Sequence, residues 1–433
     1  MPDRLIEVIP PALRDESVLR LKARLVSLIT PELQKIPSSQ LTRANVRLGL
    51  EKTLAVLTPG GGLPAETLHE LVESALADLV GYGPLELLLR DPEINEIMVN
   101  GASLVFIERG GELYETDLRF ADTSHLMQII DRILLPLGRR VDYDMPTADA
   151  RLPDGSRVNV VIPPVAVDGP TLTIRKFLQT KMSIEDLINL GTLTPYAAKF
   201  LEACVVARLN ILISGNTSSG KSTLLNILST FIPAYERIIT IEDAVELQMK
   251  QRHVVRLETK LAGVDGAGAV SIRELVRNAL RMRPDRLVVG EVRGGETLDM
   301  LQAMNTGHSG SLTTLHANSP RDAIARLETT ALMSGIDLPI IAIRKQISSA
   351  VNLIIHTARL SDGTRKVMQI TELAGMEGDI VTQTDIYKFV ATGTGQDGKI
   401  QGSLKPTGIR PQFSPRLEVA GYKLGGEYFG LGF

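Results

Sequence analysis

Asn210-Ile211-Leu212-Ile213-Ser214-Gly215-Asn216-Thr217-Ser218-Ser219-Gly220-Lys221-Ser222-Thr223-Leu224-Leu225 carries the pattern GxxxxGK[ST] between β-type residues and an apolar helical run. Leu224, Leu225, Ile227, Leu228 and Phe231 keep helical spacing until Pro233 stops it, so the glycine loop joins a strand to a helix. Anionic phosphates need donors that approach closely. Such a loop supplies backbone N–H groups and the positive end of the next helix. Gly215, Asn216, Thr217, Ser218, Ser219, Gly220, Lys221, Ser222 and Thr223 are therefore the expected nucleotide-binding residues. Gly215 and Gly220 allow the tight turn, Lys221 supplies a point charge to the β- and γ-phosphates, and the Ser222 hydroxyl is placed for Mg²⁺. A chance match is the alternative, and the flanking strand and helix argue against it.

Working outward, the chain has 433 residues, of which 44% are hydrophobic and 4% aromatic, with no Trp. That length suits roughly two or three packed domains. A formal charge of −3 gives no broad attraction for nucleic acid, so no direct nucleic-acid partner is expected. Cys204 is the single cysteine, which excludes an intrachain disulfide and a cysteine-based metal cage. No apolar stretch approaches the ~18 residues of a membrane span, and Met1-Pro2-Asp3-Arg4 does not open a signal peptide. A cytoplasmic protein able to dock on a membrane complex is the expectation.

Residues 1–80 read as a helical module, with helices over Asp15–Thr30, Gln40–Leu57 and Pro64–Val80 and breaks at Pro31, Pro37 and Pro59-Gly60-Gly61-Gly62. The triple glycine is either a hinge or an ordinary surface loop. Residues 81–178 shorten to the period of strands: Ile97–Gly101, Leu104–Ile107, Leu113-Tyr114, a hairpin over Ala150–Ile162 turning at Asp154-Gly155, and Leu172–Arg175. One helix, Ser124–Leu137, interrupts them, which predicts a small α+β domain. After a connection near Leu178–Ser183, residues 183–433 alternate strand and helix to about Val390, the pattern of a mostly parallel sheet. Ala391–Phe433, rich in Gly and Pro, reads as a mixed or partly loose tail within that last domain.

Three further segments carry candidate chemistry. Arg237–Asp243 places Glu242 and Asp243 at the C-terminal end of a predicted strand, where ligands of open α/β sheets gather; they are the expected partners of Mg²⁺ or its waters. Arg286–Glu296 is a second such strand, preceded by a helix whose Ser271 and Glu274 match a capping box. Glu291 is the expected group that orients the attacking water. Gly290 stands where an aspartate usually precedes that glutamate, which leaves direct Mg²⁺ contact to Ser222 and phosphate oxygens. Asn305–Asn318 holds His308 and His316 at either end of a strand; their spacing does not suit zinc, and they read as sensors of nucleotide state.

In this order, the loop, Glu242-Asp243, Gly290-Glu291 and His308 with His316 resemble the secretion-ATPase superfamily of type II secretion, type IV pilus and type IV secretion motors. Leu89–Gly101, the hairpin Leu152–Asn159 and Ile162-Pro163-Pro164 make the CpaF-type motor of tight-adherence (Tad) pili the nearest match. The resemblance implies a PAS-like α+β domain followed by a RecA-like P-loop ATPase domain, assembled as a homohexamer that binds ATP and Mg²⁺. It further implies that Arg151, Arg157 and Arg175 of the first domain reach the phosphates. The family's phosphate loop commonly has one more internal glycine, and this chain has Asn216-Thr217-Ser218-Ser219 there.

The expected function is an ATP-hydrolysing motor for a Tad or type IV-like pilus, working through an inner-membrane platform protein and with retraction left open. A type IV secretion channel ATPase is the alternative within the class. A RecA-like nucleic-acid motor is the alternative outside it, and the charge balance opposes that reading.

Overall fold

The computed structural model describes residues 5–36, 41–59, 63–177, 182–260, 267–396 and 398–431. Gln40, Pro37, Gly60-Gly61-Gly62 and Leu178–Lys181, on which expected boundaries or a hinge fall, lie outside them. The chain divides into two units, Met1–Leu178 and Gln179–Phe433.

In the first unit a short strand β1 (Leu5–Ile6) precedes α1 (Glu16–Leu33), α2 (Arg43–Leu57) and α3 (Ala65–Val80). Asp15 and Thr42 cap the first two helices by accepting from Ser17 and Asn45 N–H. Leu25, Ile29, Val46, Leu50, Leu71 and Leu76 bring the three helices together in one core. Pro31, expected to break the first helix, lies inside its last turn. There a proline forfeits one helical bond, and the helix ends two residues later.

The same unit holds α4 (Leu85–Arg90), β2 (Ile94–Asn100), β3 (Leu104–Arg109), β4 (Glu112–Thr116), α5 (Thr123–Leu134), β5 (Thr147–Arg151), β6 (Arg157–Val161) and β7 (Thr171–Arg175). Seven strands form one sheet in the order β1-β4-β3-β2-β7-β6-β5. Alternation in β6 buries Val158 and Val160 beside Ile129 and Ile133 of α5, which leaves Arg157 and Asn159 to the other face. β5, β6 and β7 pair so that Arg151 lies opposite Arg157, and Arg157 opposite Arg175.

The second unit runs α6 (Ile184–Asn189), α7 (Pro195–Val206), β8 (Ile211–Gly215), α8 (Lys221–Ser229), β9 (Ile238–Glu242), β10 (Val254–Glu258), α9 (Ile272–Ala279), β11 (Arg286–Val289), α10 (Glu296–Asn305), β12 (Leu312–His316), α11 (Pro320–Leu332), α12 (Ile340–Ala350), β13 (Leu353–Arg359), β14 (Arg365–Glu377), β15 (Ile380–Thr394), β16 (Ile400–Pro406) and α13 (Ser414–Val419). The sheet order is β10-β9-β11-β12-β8-β13-β14-β15-β16. Its pairs are parallel as far as β13 and antiparallel beyond. Ile211 and Ile213 of β8 enter one core and Leu212 the other, so the central strand is covered on both faces.

The tail, read from the sequence as mixed or partly loose, is packed. Beyond Ala391 the chain completes β15, adds β16 and α13, and buries Phe413, Leu417, Leu424 and Phe429. Phe200 lies 6.2 Å from Phe413 and 6.0 Å from Phe429 between ring centroids, with Tyr387 at 5.5 Å. Buried Glu372 accepts from the N–H groups of Gln412 and Phe413, which holds the entry to α13. These anchors come at irregular spacing from short elements, so they leave no periodic signal. Among the described residues no helix is long and apolar enough to cross a membrane.

Candidate functional site

β8 ends at Gly215, the loop follows, and α8 begins at Lys221. A Cβ on Gly215 would lie 2.3 Å from Thr357 O and 2.6 Å from Ser219 Oγ, so the loop passes close over β13 only because residue 215 has no side chain. Beneath it, Ser219 Oγ meets Thr357 Oγ1 at 3.0 Å, and Ser214 Oγ meets His356 Nδ1 at 3.0 Å. Gly220 has φ of 93° and Ser218 of 59°. Ser218 is thus a left-handed residue that is not glycine, at a cost of about 1 kcal/mol.

The loop is built for an anion. Among the described residues the N–H groups of Gly220, Lys221, Ser222 and Thr223 make no hydrogen bond, and they stand at the N-terminal end of α8. Lys221 is buried and donates from Nζ to Gly215 O and Asn216 O, each at 3.0 Å. Burial lowers its pKa, and the charge of Glu291 works against that shift.

Parallel pairing brings the C-terminal ends of β8, β9, β11 and β12 to one edge. Gly215 lies opposite His316, Val289 opposite Ile241, and Gly290 N–H donates to Ile241 O. Sequence separations of about 30 to 100 residues thereby collapse onto one site. His316 Nδ1 lies 3.4 Å from Lys221 Nζ, and its Nε2 lies 3.1 Å from Glu291 Oε1. An ammonium only donates, so Nδ1 accepts and the ring proton sits on Nε2, facing the carboxylate. Burial, then the Lys221 charge, lowers the His316 pKa, which favours the neutral ring that this arrangement requires.

Asp243 pairs with Arg293 Nη2, which also stands 3.7 Å from Glu291 Oε2. Arg293 therefore bridges two of the expected carboxylates. Glu242 is buried, and its Oε2 accepts from Glu246 N–H at 2.7 Å and Leu247 N–H at 3.0 Å, which shapes the segment after β9. His308 stands before the start of β12, at the opposite end of that strand from His316 and the loop. Arg151, Arg157 and Arg175 form their row in the first unit; Arg151 Nε donates to Gly155 O, and Arg175 lies 3.6 Å from Glu96.

Among the described residues no three His, Cys, Asp or Glu side chains converge as a metal cage. The residues do fit Mg²⁺ held chiefly by phosphate and water. The Ser222 hydroxyl is exposed on the first turn of α8 and makes no hydrogen bond among the described residues, while Glu242 ends β9, Asp243 follows it, and Glu291 lies two residues beyond β11.

Sequence reasoning did not assign Arg293, His356 or Thr357. Arg293 follows Glu291 by two residues within a run already singled out, and that proximity was a usable signal. His356 and Thr357 reach the loop through the β8–β13 pairing, which nothing local announces.

The profile described as "Type II/IV secretion system protein" matches residues 78–401. A Mycobacterium tuberculosis protein provisionally named for conjugal transfer is 38% identical over 313 residues, covering 71% of this chain and 88% of the relative. The type IV secretion system protein VirB11 of Bartonella henselae is 34% identical over 351 residues, covering 70% and 96%. The solved VirB11 ATPase of Brucella suis, in complex with sulphate, is 30% identical over 66% of this chain and 94% of its own, with a TM-score of 0.37.

Proposed function

The chain belongs to the type II/IV secretion system protein family and is an ATPase of the secretion and pilus kind, and from that premise we propose that it is a hexameric motor driving assembly of a Tad-type pilus. It works in the cytoplasm, on an inner-membrane platform protein. The observation that carries the chemistry is the chain Lys221–His316–Glu291 at the edge of the phosphate loop. ATP phosphates take the place of the loop carbonyls at Lys221 Nζ, and Glu291 orients the attacking water with His316 holding its carboxylate. Ser222 would hold Mg²⁺, which would supply positive charge toward the phosphates when bound.

The row Arg151, Arg157, Arg175 supports a role in the same reaction. The three arginines stand opposite one another in register on neighbouring strands, which groups three guanidinium charges on one part of the first unit. Guanidinium groups near a transferring phosphoryl stabilise transition-state charge, which is the role the resemblance gives these residues. Resemblance in Leu89–Gly101 and the hairpin Leu152–Asn159 supports the Tad branch.

The chemistry is tested by Lys221→Ala, expected to lose ATP binding or turnover, and Glu291→Gln, expected to bind ATP and turn it over slowly. Normal turnover in both removes the site assignment. The machine is tested by capturing membrane proteins on Glu291→Gln held with ATP. A polytopic platform protein with pilin components supports the pilus motor. A second reading, the ATPase of a conjugation or secretion channel, is favoured by relatives named for conjugal transfer and type IV secretion. Recovery of such a channel selects it. DNA-stimulated, salt-sensitive turnover selects a nucleic-acid motor instead.

A further inference from the structure

Arg365 opens β14 and lies across the outside of the phosphate loop. Its Nε donates to Ser218 O at 2.9 Å, and its Cδ stands 3.5 Å from where a Cβ on Gly220 would be. Ser218 is the loop's left-handed non-glycine residue, with φ of 59°. A serine in that region relaxes to an ordinary conformation unless its surroundings hold it. Among the described residues, Arg365 is the one group that donates to the Ser218 carbonyl.

The arginine is itself anchored. Thr192 Oγ1 donates to Arg365 O at 2.9 Å, and neighbouring Lys366 donates from Nζ to Leu190 O at 2.7 Å and Gly191 O at 3.0 Å. Val367 N–H closes the contact on Thr192 O. The start of β14 is thus fastened to the turn between α6 and α7, and it presents Nε at a set place beside the loop.

We propose that Arg365 is a positioning residue for the nucleotide: by donating from Nε to the Ser218 carbonyl it holds the loop in its anion-binding shape, in the place of the glycine that would adopt that shape unaided. The inference rests on the ATP-binding reading of the loop and adds a determinant on a strand 147 residues away in sequence. A loop released from this shape must be ordered again when ATP binds, and affinity falls by that cost.

The geometry separates the donor from the charge. Gln carries its amide nitrogen on Cδ, where Arg carries Nε, so Arg365→Gln keeps the donor and loses the charge. Arg365→Lys keeps the charge and puts a methylene at that place. Arg365→Met removes both. In the full chain, with ATP as the probe, Arg365→Met and Arg365→Lys are expected to raise the dissociation constant and KM about tenfold, with kcat changed far less. Arg365→Gln is expected to stay near wild type. Adding Ser218→Gly to Arg365→Met is expected to restore affinity, because glycine holds a positive φ at no steric cost.

If Arg365→Lys binds normally and Arg365→Gln does not, the charge is what acts and the proposal is overturned. Failure of Ser218→Gly to restore binding also overturns it, as does unchanged affinity in all three variants. Should Arg365→Met not fold, the Lys and Gln variants decide. Wild-type protein that binds no ATP refutes the nucleotide reading itself, an outcome distinct from these.

Discussion

Glu242 occupies the space that a side chain at Gly290 would fill: a Cβ there would lie 2.9 Å from Glu242 Cγ and 3.5 Å from its Cβ. Because Glu242 N-terminal neighbours run up β9 beside β11, its buried carboxylate stands where an aspartate at residue 290 would otherwise reach. A side chain at residue 290 therefore fits only if Glu242 shifts. Gly290→Ala is expected to destabilise the protein by about 1–3 kcal/mol and to lower turnover, with Gly290→Asp worse. Urea unfolding and ATP turnover check this; wild-type values for both variants would mean that Glu242 yields freely.

His316 joins Lys221 to Glu291, and its loss should be felt in chemistry rather than folding. His316→Ala is expected to lower kcat about a hundredfold with the melting temperature unchanged, since the side chain is 44% exposed. A protonated ring cannot accept from Lys221, and its pKa lies below the ordinary 6.5. The acid limb of the kcat profile attributable to this ring should therefore fall below pH 6.5. A hundredfold loss accompanied by early unfolding would contradict the assignment.

Arg293 is 57% exposed, so its pairs with Asp243 and Glu291 contribute at most about 1 kcal/mol to stability. Arg293→Gln is expected to melt like the wild type and to hydrolyse ATP more slowly, because two carboxylates lose the cation between them. Equal turnover would reduce Arg293 to a surface ion pair.

His356 is buried under the loop, and burial lowers its pKa. Asp322 opposes that shift and Lys221 adds to it. A folded-state pKa below the unfolded value means the unfolded chain binds more protons, so stability is lost as pH falls through 6.5 toward the folded value. His356→Asn keeps an acceptor for Ser214 and cannot titrate. Its melting temperature is expected to vary less than the wild type's between pH 7 and pH 5.5. Parallel curves would remove His356 as a source of acid sensitivity.

Phe429 is 1% exposed and packs on Phe200. Phe429→Ala is expected to cost about 3–5 kcal/mol, which chemical denaturation would register. A loss below about 1 kcal/mol would restore the looser picture of the tail.

The residues around Gly215 and Gly220 were legible before any fold was known, because a strand, a glycine loop and a helix N-terminus are consecutive and their chemistry is local. Glu242, Asp243 and Glu291 were legible too, each ending a β-type run. The capping box of Ser271 and Glu274 forms as its spacing implies. The packed tail was not legible, since Phe413, Leu417 and Phe429 find Phe200 across more than 200 residues.

Local sequence thus specified the phosphate loop, the strands that end in carboxylates and the family, all of which depend on residues adjacent in the chain. Folding alone placed His316 between Lys221 and Glu291, filled the space over Gly290 with Glu242, and set Arg365 against Ser218. Those relations depend on strand order and register, and parallel crossovers set them through packing that no local pattern records.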